Sequence, residues 1–347
     1  MRACAQRRIC LRGADRGTLP LVGGATTDGT GAGEPRRIFL VGATGTIGRA
    51  TARALVARGH QVVCFVRPAG AEGARRLPEL AGAEIRVGEV TKAGGIARDW
   101  FRGERFDTIV SCLASRTGSP REAWAIDHSA NLALLEAGQA QGVGHFVLLS
   151  AICLQKPRLA FQHAKITFET ALMASGMPYT IVRPTAFFKS LSGQVEPVRR
   201  GKPWLLFGDG RLTACKPISD ADLAAYLVRC VEDPALRGRV LPIGGPGPAI
   251  TPREQAEALF APLGEKPRFR HVPVRLMDVI VGVLGALGRV VPNLRDKAEY
   301  ARIGRYYAKE SMLVWNEEAD RYDAAATPET GADRLVDHYA ELVGKRS

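Results

Sequence analysis

The chain has little that would build a stapled, metal-bound or membrane-spanning protein. Its seven cysteines (Cys4, Cys10, Cys64, Cys112, Cys153, Cys215, Cys230) are scattered, and none forms a Cys-x-x-Cys pair. That pattern excludes a disulfide framework, a structural zinc site and an iron–sulfur cluster with local ligands, and it points to a reducing compartment. No metal site is expected. Uncharged apolar runs are short: Val279 to Gly288 is bounded by Asp278 and Arg289, far below the ~20 residues that cross a bilayer. Basic residues never run longer than two, as in Arg36-Arg37 or Arg199-Arg200, so no nucleic-acid-binding arm is present. Residues 1–34 contain no serine and no apolar core of the ~7–15 residues that a secretory signal requires. This segment reads as a disordered extension, with an organellar transit segment as the alternative.

What is present is globular. The chain has 347 residues, 46% hydrophobic and 24% charged, and a formal charge of +13, which favours anionic partners such as nucleotides, carboxylates or membrane surfaces. From Arg36 onward, short β-type runs alternate with helical stretches: Ile38–Val41, Gln61–Val66, Thr108–Cys112, Phe146–Ser150 and Tyr179–Val182 as strands, with helices over Ile47–Arg58, Trp124–Gln141 and His163–Ser175. This alternation predicts an α/β fold with a doubly wound parallel sheet. After the Gly/Pro-rich Pro246–Pro252 the texture changes to helices (Arg253–Ala261, Arg275–Val290) and loops. The expected organisation is a nucleotide-binding domain over 35–245 and a smaller C-terminal substrate lobe over 246–347. Arg275–Val290 reads as a buried helix of that lobe, with pocket lining or peripheral membrane contact as the alternative.

The run Ile38-Phe39-Leu40-Val41-Gly42-Ala43-Thr44-Gly45-Thr46-Ile47-Gly48-Arg49 places G-x-x-G-x-x-G on the turn from the first strand into the first helix. Glycines there permit the tight turn and close approach to a pyrophosphate, which the helix N-terminus then holds through its unpaired N–H groups and dipole. Arg67 closes the second strand, 19 residues after Gly48, where an NAD enzyme carries an acid for the ribose 2′-hydroxyl. An arginine instead suits a 2′-phosphate, with Arg49 beside it, so NADPH is the expected cofactor. Gly88-Glu89-Val90-Thr91 follows a third strand, ahead of Thr108–Cys112, and places Glu89 against the adenine. The cofactor-binding set is Gly42, Thr44, Gly45, Thr46, Ile47, Gly48, Arg49, Arg67, Glu89 and Ala114.

These residues resemble the short-chain dehydrogenase/reductase superfamily, in its atypical branch, which implies a Rossmann-like fold. The superfamily's Tyr-x-x-x-Lys corresponds here to Phe161-Gln162-His163-Ala164-Lys165, so the lysine is kept and the tyrosine is not. The resemblance assigns Lys165 to the nicotinamide ribose and makes it the candidate catalytic residue; Ser150 matches the family's serine position. Over Arg36 to Leu342 the chain more closely resembles the NADPH-dependent divinyl chlorophyllide 8-vinyl-reductase family. Phe161–Lys165, Tyr179–Ser190, Met312–Trp315 and Tyr322–Gly331 carry that likeness. It implies reduction of the C8 vinyl group of a chlorophyll precursor to ethyl, with divinyl chlorophyllide or a related magnesium pigment as partner. It also implies a bacterial cytoplasmic location, or a plastid one if the leading segment is a transit segment. A non-catalytic NADP(H)-binding regulator or structural subunit of the same superfamily is the alternative.

The chemistry tolerates the missing tyrosine. Hydride arriving at the terminal vinyl carbon leaves charge delocalised into the macrocycle, so no strong acid on an oxyanion is required. Water, Lys165 or a tyrosine of the smaller lobe are the candidate proton donors. Phe187 and Phe188 are placed to stack on a flat ring or to fill the core. His163 and His271 are surface histidines or axial magnesium ligands, the former being the default. Lys189, Arg199, Arg200, Lys202 and Arg211 form a solvated basic face that meets a propionate in the sharper reading, and Asp220 and Asp222 are expected to cap the next helix.

Overall fold

The computed structural model describes residues 34–90, 100–291 and 293–344; residues 1–33 of the expected disordered extension and Thr91 lie outside them. Five predicted strands appear within a residue or two of their expected positions, and two more join them. The strands in chain order are β1 (Arg37–Val41), β2 (Gln61–Val66), β3 (Glu84–Val87), β4 (Thr108–Ser111), β5 (His145–Leu149), β6 (Tyr179–Pro184), β7 (Trp204–Phe207), β8 (Arg239–Ile243), β9 (Phe269–Val272), β10 (Val314–Asn316) and β11 (Arg321–Asp323). Seven of them form one parallel sheet in the order β3-β2-β1-β4-β5-β6-β8. The chain winds outward from β1 in one direction and from β4 in the other, which makes the β1/β4 boundary a topological switch point.

Both faces of this sheet are covered, because alternate residues of each strand point to opposite sides. Ile38, Leu40, Val62, Cys64 and Val66 meet Ala52 and Leu55 of helix α1 (Thr46–Ala57) on one face, together with Leu223, Leu227 and Val231 further along the chain. Phe39, Val41, Val63 and Phe65 face the other way, onto Trp100, Phe101, Phe106, Leu134, Phe168 and Leu172. The helices supplying this second layer are α2 (Asn131–Ala140) and α3 (Ala160–Ala174); α4 (Asp220–Glu232) completes the first layer. Near-continuous apolar strands are what a parallel sheet buried on both faces requires.

The smaller lobe contains α5 (Pro252–Leu263), α6 (Val274–Val290), α7 (Asn293–Lys309) and α8 (Leu335–Gly344). Its core joins Phe188, Val195, Val198 and Trp204 to Leu259, Phe260, Leu335 and Tyr339. The parallel pairing of β7 with β9 likewise ties Trp204–Phe207 to Phe269–Val272, so this lobe draws on residues before 246 as well as after. α6 departs from the expected buried helix. Leu276, Val279, Val283 and Leu287 are 47–59% exposed, and at helical spacing they form one open apolar stripe, while the opposite side of α6 packs on α7.

Candidate functional site

The glycine loop does what its sequence demands. Gly42 takes φ +79°, and a Cβ there would lie 2.5 Å from the Cys112 carbonyl oxygen. A Cβ at Gly48 would lie 2.1 Å from the Gly42 oxygen, so only glycine lets α1 start directly on the end of β1. The Gly45 N–H donates back to Gly42 O at 3.0 Å, closing the turn. No side chain caps α1, which leaves its first-turn N–H groups for an anion. Burial pushes the neighbouring Cys112 thiol up to about 12, so it stands beside the loop as an inert apolar group.

Above this loop, at the C-terminal edge of the sheet and over the switch point, lies a cavity of about 900 Å³. Of the cofactor set, Gly42, Thr44, Gly45, Thr46, Ile47, Gly48, Arg49, Arg67 and Ala114 line it. Glu89 does not; Val90 beside it faces the cavity instead. Among the described residues, cations dominate the walls: Arg49, Arg67, Arg116 and Lys189 against the single carboxylate of Glu122. Glu122 accepts from the Arg116 and Thr117 N–H groups and the Thr117 hydroxyl; burial opposes ionisation, but these bonds outweigh it and keep the carboxyl below its usual range. A glycine cradle with cationic walls fits a dinucleotide.

Lys165 lies next door. A second, mostly apolar cavity of about 520 Å³ contains Lys165, Asp127, Ser150, Cys153, Phe161, Phe187, Tyr300, Ile303, Tyr307 and Met312. It shares Leu113, Ala114, Ser115, Arg116, Leu149, Phe187 and Ser190 with the cofactor cavity, so the two are chambers of one cleft. The Lys165 ammonium is 3.0 Å from Asp127 Oδ1, and both side chains are buried. Asp127 sits on a π-helical turn, Trp124–Ala130, the kind of local widening that re-aims a side chain at a functional site. Its carboxylate also accepts from the Ser115 N–H at 3.3 Å. The ammonium is therefore fixed at the junction of the two chambers.

These positions decide between some of the readings left open, keep the default for the histidines and correct others. Phe187 lines both chambers, whereas Phe188 is buried in the lobe core against His338. His163 is exposed, and His271 is bonded to the Gly208 carbonyl at 2.7 Å; neither lines the cleft. Arg199 and Arg200 pair with Glu196. Lys189 leaves the basic face altogether: its ammonium donates to Thr46 Oγ1 at 2.7 Å, on the phosphate loop. Ser219, not an aspartate, caps α4, accepting from the Asp222 N–H at 3.0 Å. Asp222 instead receives the N–H groups of Ala332 and Asp333, pinning the C-terminal segment to α4. Ser150 donates to the buried Glu169, which also pairs with Arg183.

The residues that sequence reasoning missed sit on α7. Tyr300, Ile303 and Tyr307 line the second chamber and recur at i, i+3 and i+7, a helical signature legible in the chain. α6, for which pocket lining was the alternative to burial, supplies no described residue to that wall.

A profile described as NAD(P)H-binding matches residues 42–234. Divinyl chlorophyllide a 8-vinyl-reductase, chloroplastic, of Oryza sativa subsp. indica is 46% identical over 88% of this chain and 78% of its own length. The chain belongs to the divinyl chlorophyllide a 8-vinyl-reductase family. The family's Arabidopsis thaliana enzyme is also 46% identical, over 88% of this chain and 76% of its own. Among solved structures, the leucoanthocyanidin reductase–NADPH complex from Vitis vinifera aligns with TM-score 0.64 at 16% identity, covering 89% of this chain and 100% of that one. That likeness shows a shared Rossmann-like fold. The chain is thus an NAD(P)H-binding protein of a reductase family, and no described helix is long and apolar enough to cross a membrane.

Proposed function

We propose that the protein reduces the C8 vinyl group of divinyl chlorophyllide, or of a close magnesium-pigment relative, to ethyl with NADPH. The observation that carries this reading is the two-chambered cleft, in a chain whose relatives are 8-vinyl-reductases. One chamber is cationic with a glycine cradle, and the other is apolar and aromatic with one fixed ammonium between them. When bound, the nicotinamide supplies a hydride. Lys165, held by Asp127 at the junction, is suited to bond the nicotinamide ribose and set the ring's depth. Phe187 forms a wall common to cofactor and pigment. Arg67 and Arg49, both lining the cofactor chamber, support NADPH over NADH, since a ribose 2′-phosphate there would meet two guanidinium groups.

The open stripe of α6 supports a contact with the surface of a pigment-bearing membrane. Leu276, Val279, Val283 and Leu287 are exposed on one face, and Lys266, Arg268, Arg270 and Arg275 lie exposed at the adjoining end. Apolar and cationic groups together are the profile of an interfacial helix. The free cysteines at 64, 112, 153, 215 and 230 suit a reducing compartment, the bacterial cytoplasm or a plastid.

The activity is tested by mixing the purified protein with NADPH and divinyl chlorophyllide. A blue shift of the Soret band with a gain of two hydrogens in the pigment mass is expected. NADPH binding without either change would refute the assignment.

A further inference from the structure

Vinyl reduction consumes a proton as well as a hydride, and the second chamber contains few groups able to give one. Ser150 already donates to Glu169, and Thr185 to the Lys216 carbonyl. The Lys165 ammonium pairs with Asp127 and is assigned above to the nicotinamide ribose. Ser115 and Ser190 lie at the junction with the cofactor chamber, and aliphatic alcohols are far weaker acids than a phenol. Tyr300 is 73% exposed, at the rim. Tyr307 is different. The residue is 36% exposed and lines the chamber, while its hydroxyl donates to Cys153 Sγ at 3.7 Å. A thiol is a weak acceptor, so the hydroxyl is oriented without being locked to a strong partner.

The surroundings of Tyr307 are built to hold it there. Gln162 folds back to accept from the N–H groups of Arg158 and Leu159, and donates to the Cys153 carbonyl at 2.9 Å. Glu299 of α7 accepts from the Ala160 N–H at 3.0 Å, docking α7 against the first turn of α3. Tyr306 donates to the same Cys153 carbonyl at 2.9 Å. Gly118, at φ +68°, is the spacer between Ile303 and Phe161: a Cβ there would lie 2.8 Å from one and 3.7 Å from the other. Ile303 thus faces Phe161. One helical turn further along each helix stand Tyr307 on α7 and Lys165 on α3.

We infer that Tyr307 is the proton donor for the reduction, an inference that rests on the vinyl-reductase reading above. As the hydride adds to one vinyl carbon, the Tyr307 O–H bond breaks and a C–H bond forms at the other carbon. The phenolate left behind recovers its proton from water entering past Tyr300. Burial among Cys153 and Tyr306 raises the Tyr307 phenol well above its ordinary range, so the donor stays protonated at all working pH values. The acid is weak, and the transfer is carried by the C–H bond that forms at the vinyl carbon.

The test uses the full-length protein with divinyl chlorophyllide and NADPH. Tyr307→Phe removes one oxygen; it is expected to lower kcat by about 10²-fold or more, with NADPH and pigment affinities within about threefold of wild type. Small acids such as imidazolium are expected to restore part of the rate. Tyr307→His places an imidazole there, and its activity is expected to fall as pH rises through about 6.5 while the wild type stays flat. A Phe variant within threefold of wild-type kcat, a loss explained by weaker pigment binding, or a His variant with the wild-type pH profile would overturn the inference. Absence of turnover by the wild type itself would instead overturn the vinyl-reductase reading.

Discussion

Replacing Gly48 by alanine inserts one methyl group into the closest backbone approach of the cofactor site. The new Cβ would stand 2.1 Å from the Gly42 carbonyl oxygen, against 3.4 Å for ordinary contact, an overlap of 1.3 Å (3.4 − 2.1). Neither neighbour is a flexible side chain: Gly42 C and Ala43 Cα are the next atoms, at 2.8 and 3.0 Å. Relief requires moving the start of α1 away from β1. That displacement costs about 1–3 kcal/mol as overpacking, and about 0.5–1.5 kcal/mol more if the Gly45-to-Gly42 turn bond is lost. The sum, about 2–4 kcal/mol, corresponds to a fall in Tm of about 3–6 °C for a chain of this size. The same movement drags the first-turn N–H groups off the pyrophosphate position, and losing one or two charge-assisted bonds weakens NADPH about 10- to 100-fold. Gly45→Ala is the control. Its Cβ would meet only the Gly42 oxygen, at 3.3 Å, and its backbone, φ −73° and ψ 164°, is open to any residue. Thermal melts and NADPH fluorescence titrations of both variants decide the matter. Equal destabilisation by the two, or a Gly48→Ala protein with wild-type Tm and NADPH affinity, would refute the reasoning.

Arg67→Asp is expected to weaken NADPH about 10- to 100-fold and NADH by less than threefold; equal effects on both would remove Arg67 from the 2′-phosphate. Lys165→Met leaves Asp127 buried without its cation and should cost about 3 kcal/mol. Adding Asp127→Asn is expected to restore stability in urea melts but not turnover, and recovered turnover would show the pair to be structural only. Burial, with Arg237 and Arg36 nearby, lowers His145 to about 4. The unfolded chain takes up that proton near pH 6.5 while the folded protein resists it, so stability is full above about 6.5 and declines toward pH 4, by about 3 kcal/mol. Urea melts of His145→Gln at pH 7, 6 and 5 should show a shallower decline, and an unchanged slope would contradict this. Val279→Asp with Val283→Asp should abolish flotation with anionic vesicles while sparing turnover of detergent-dispersed pigment; retained flotation would exclude α6 as the contact.

The sheet was legible because its signals are local. Four apolar residues ahead of Gly42, a glycine every third position and a helix behind them leave few conformations open, and Arg67 follows at the end of the next strand. The same locality explains the misplacements. Glu89 and Val90 are neighbours just past β3, and which of them faces the cavity depends on how the chain turns after Val87. Phe187 and Phe188 are separated in the same way, one lining the cleft and one filling the lobe core. Asp222 looked like a helix cap because its partners, Ala332 and Asp333, lie more than a hundred residues away.

By itself the sequence determined the parallel α/β architecture, the phosphate cradle and the position of Lys165 on its helix, all of which follow from periodicity and glycine placement within short windows. Only the tertiary structure decided what surrounds Lys165. Its partner Asp127 is brought in by a π-helical turn, Lys189 crosses 143 residues of sequence to reach Thr46, and Tyr307 arrives from a helix docked through Glu299 onto the first turn of α3. It also decided that α6 presents its apolar stripe outward, because amphipathicity shows that a helix has two faces and not which of them the rest of the chain covers.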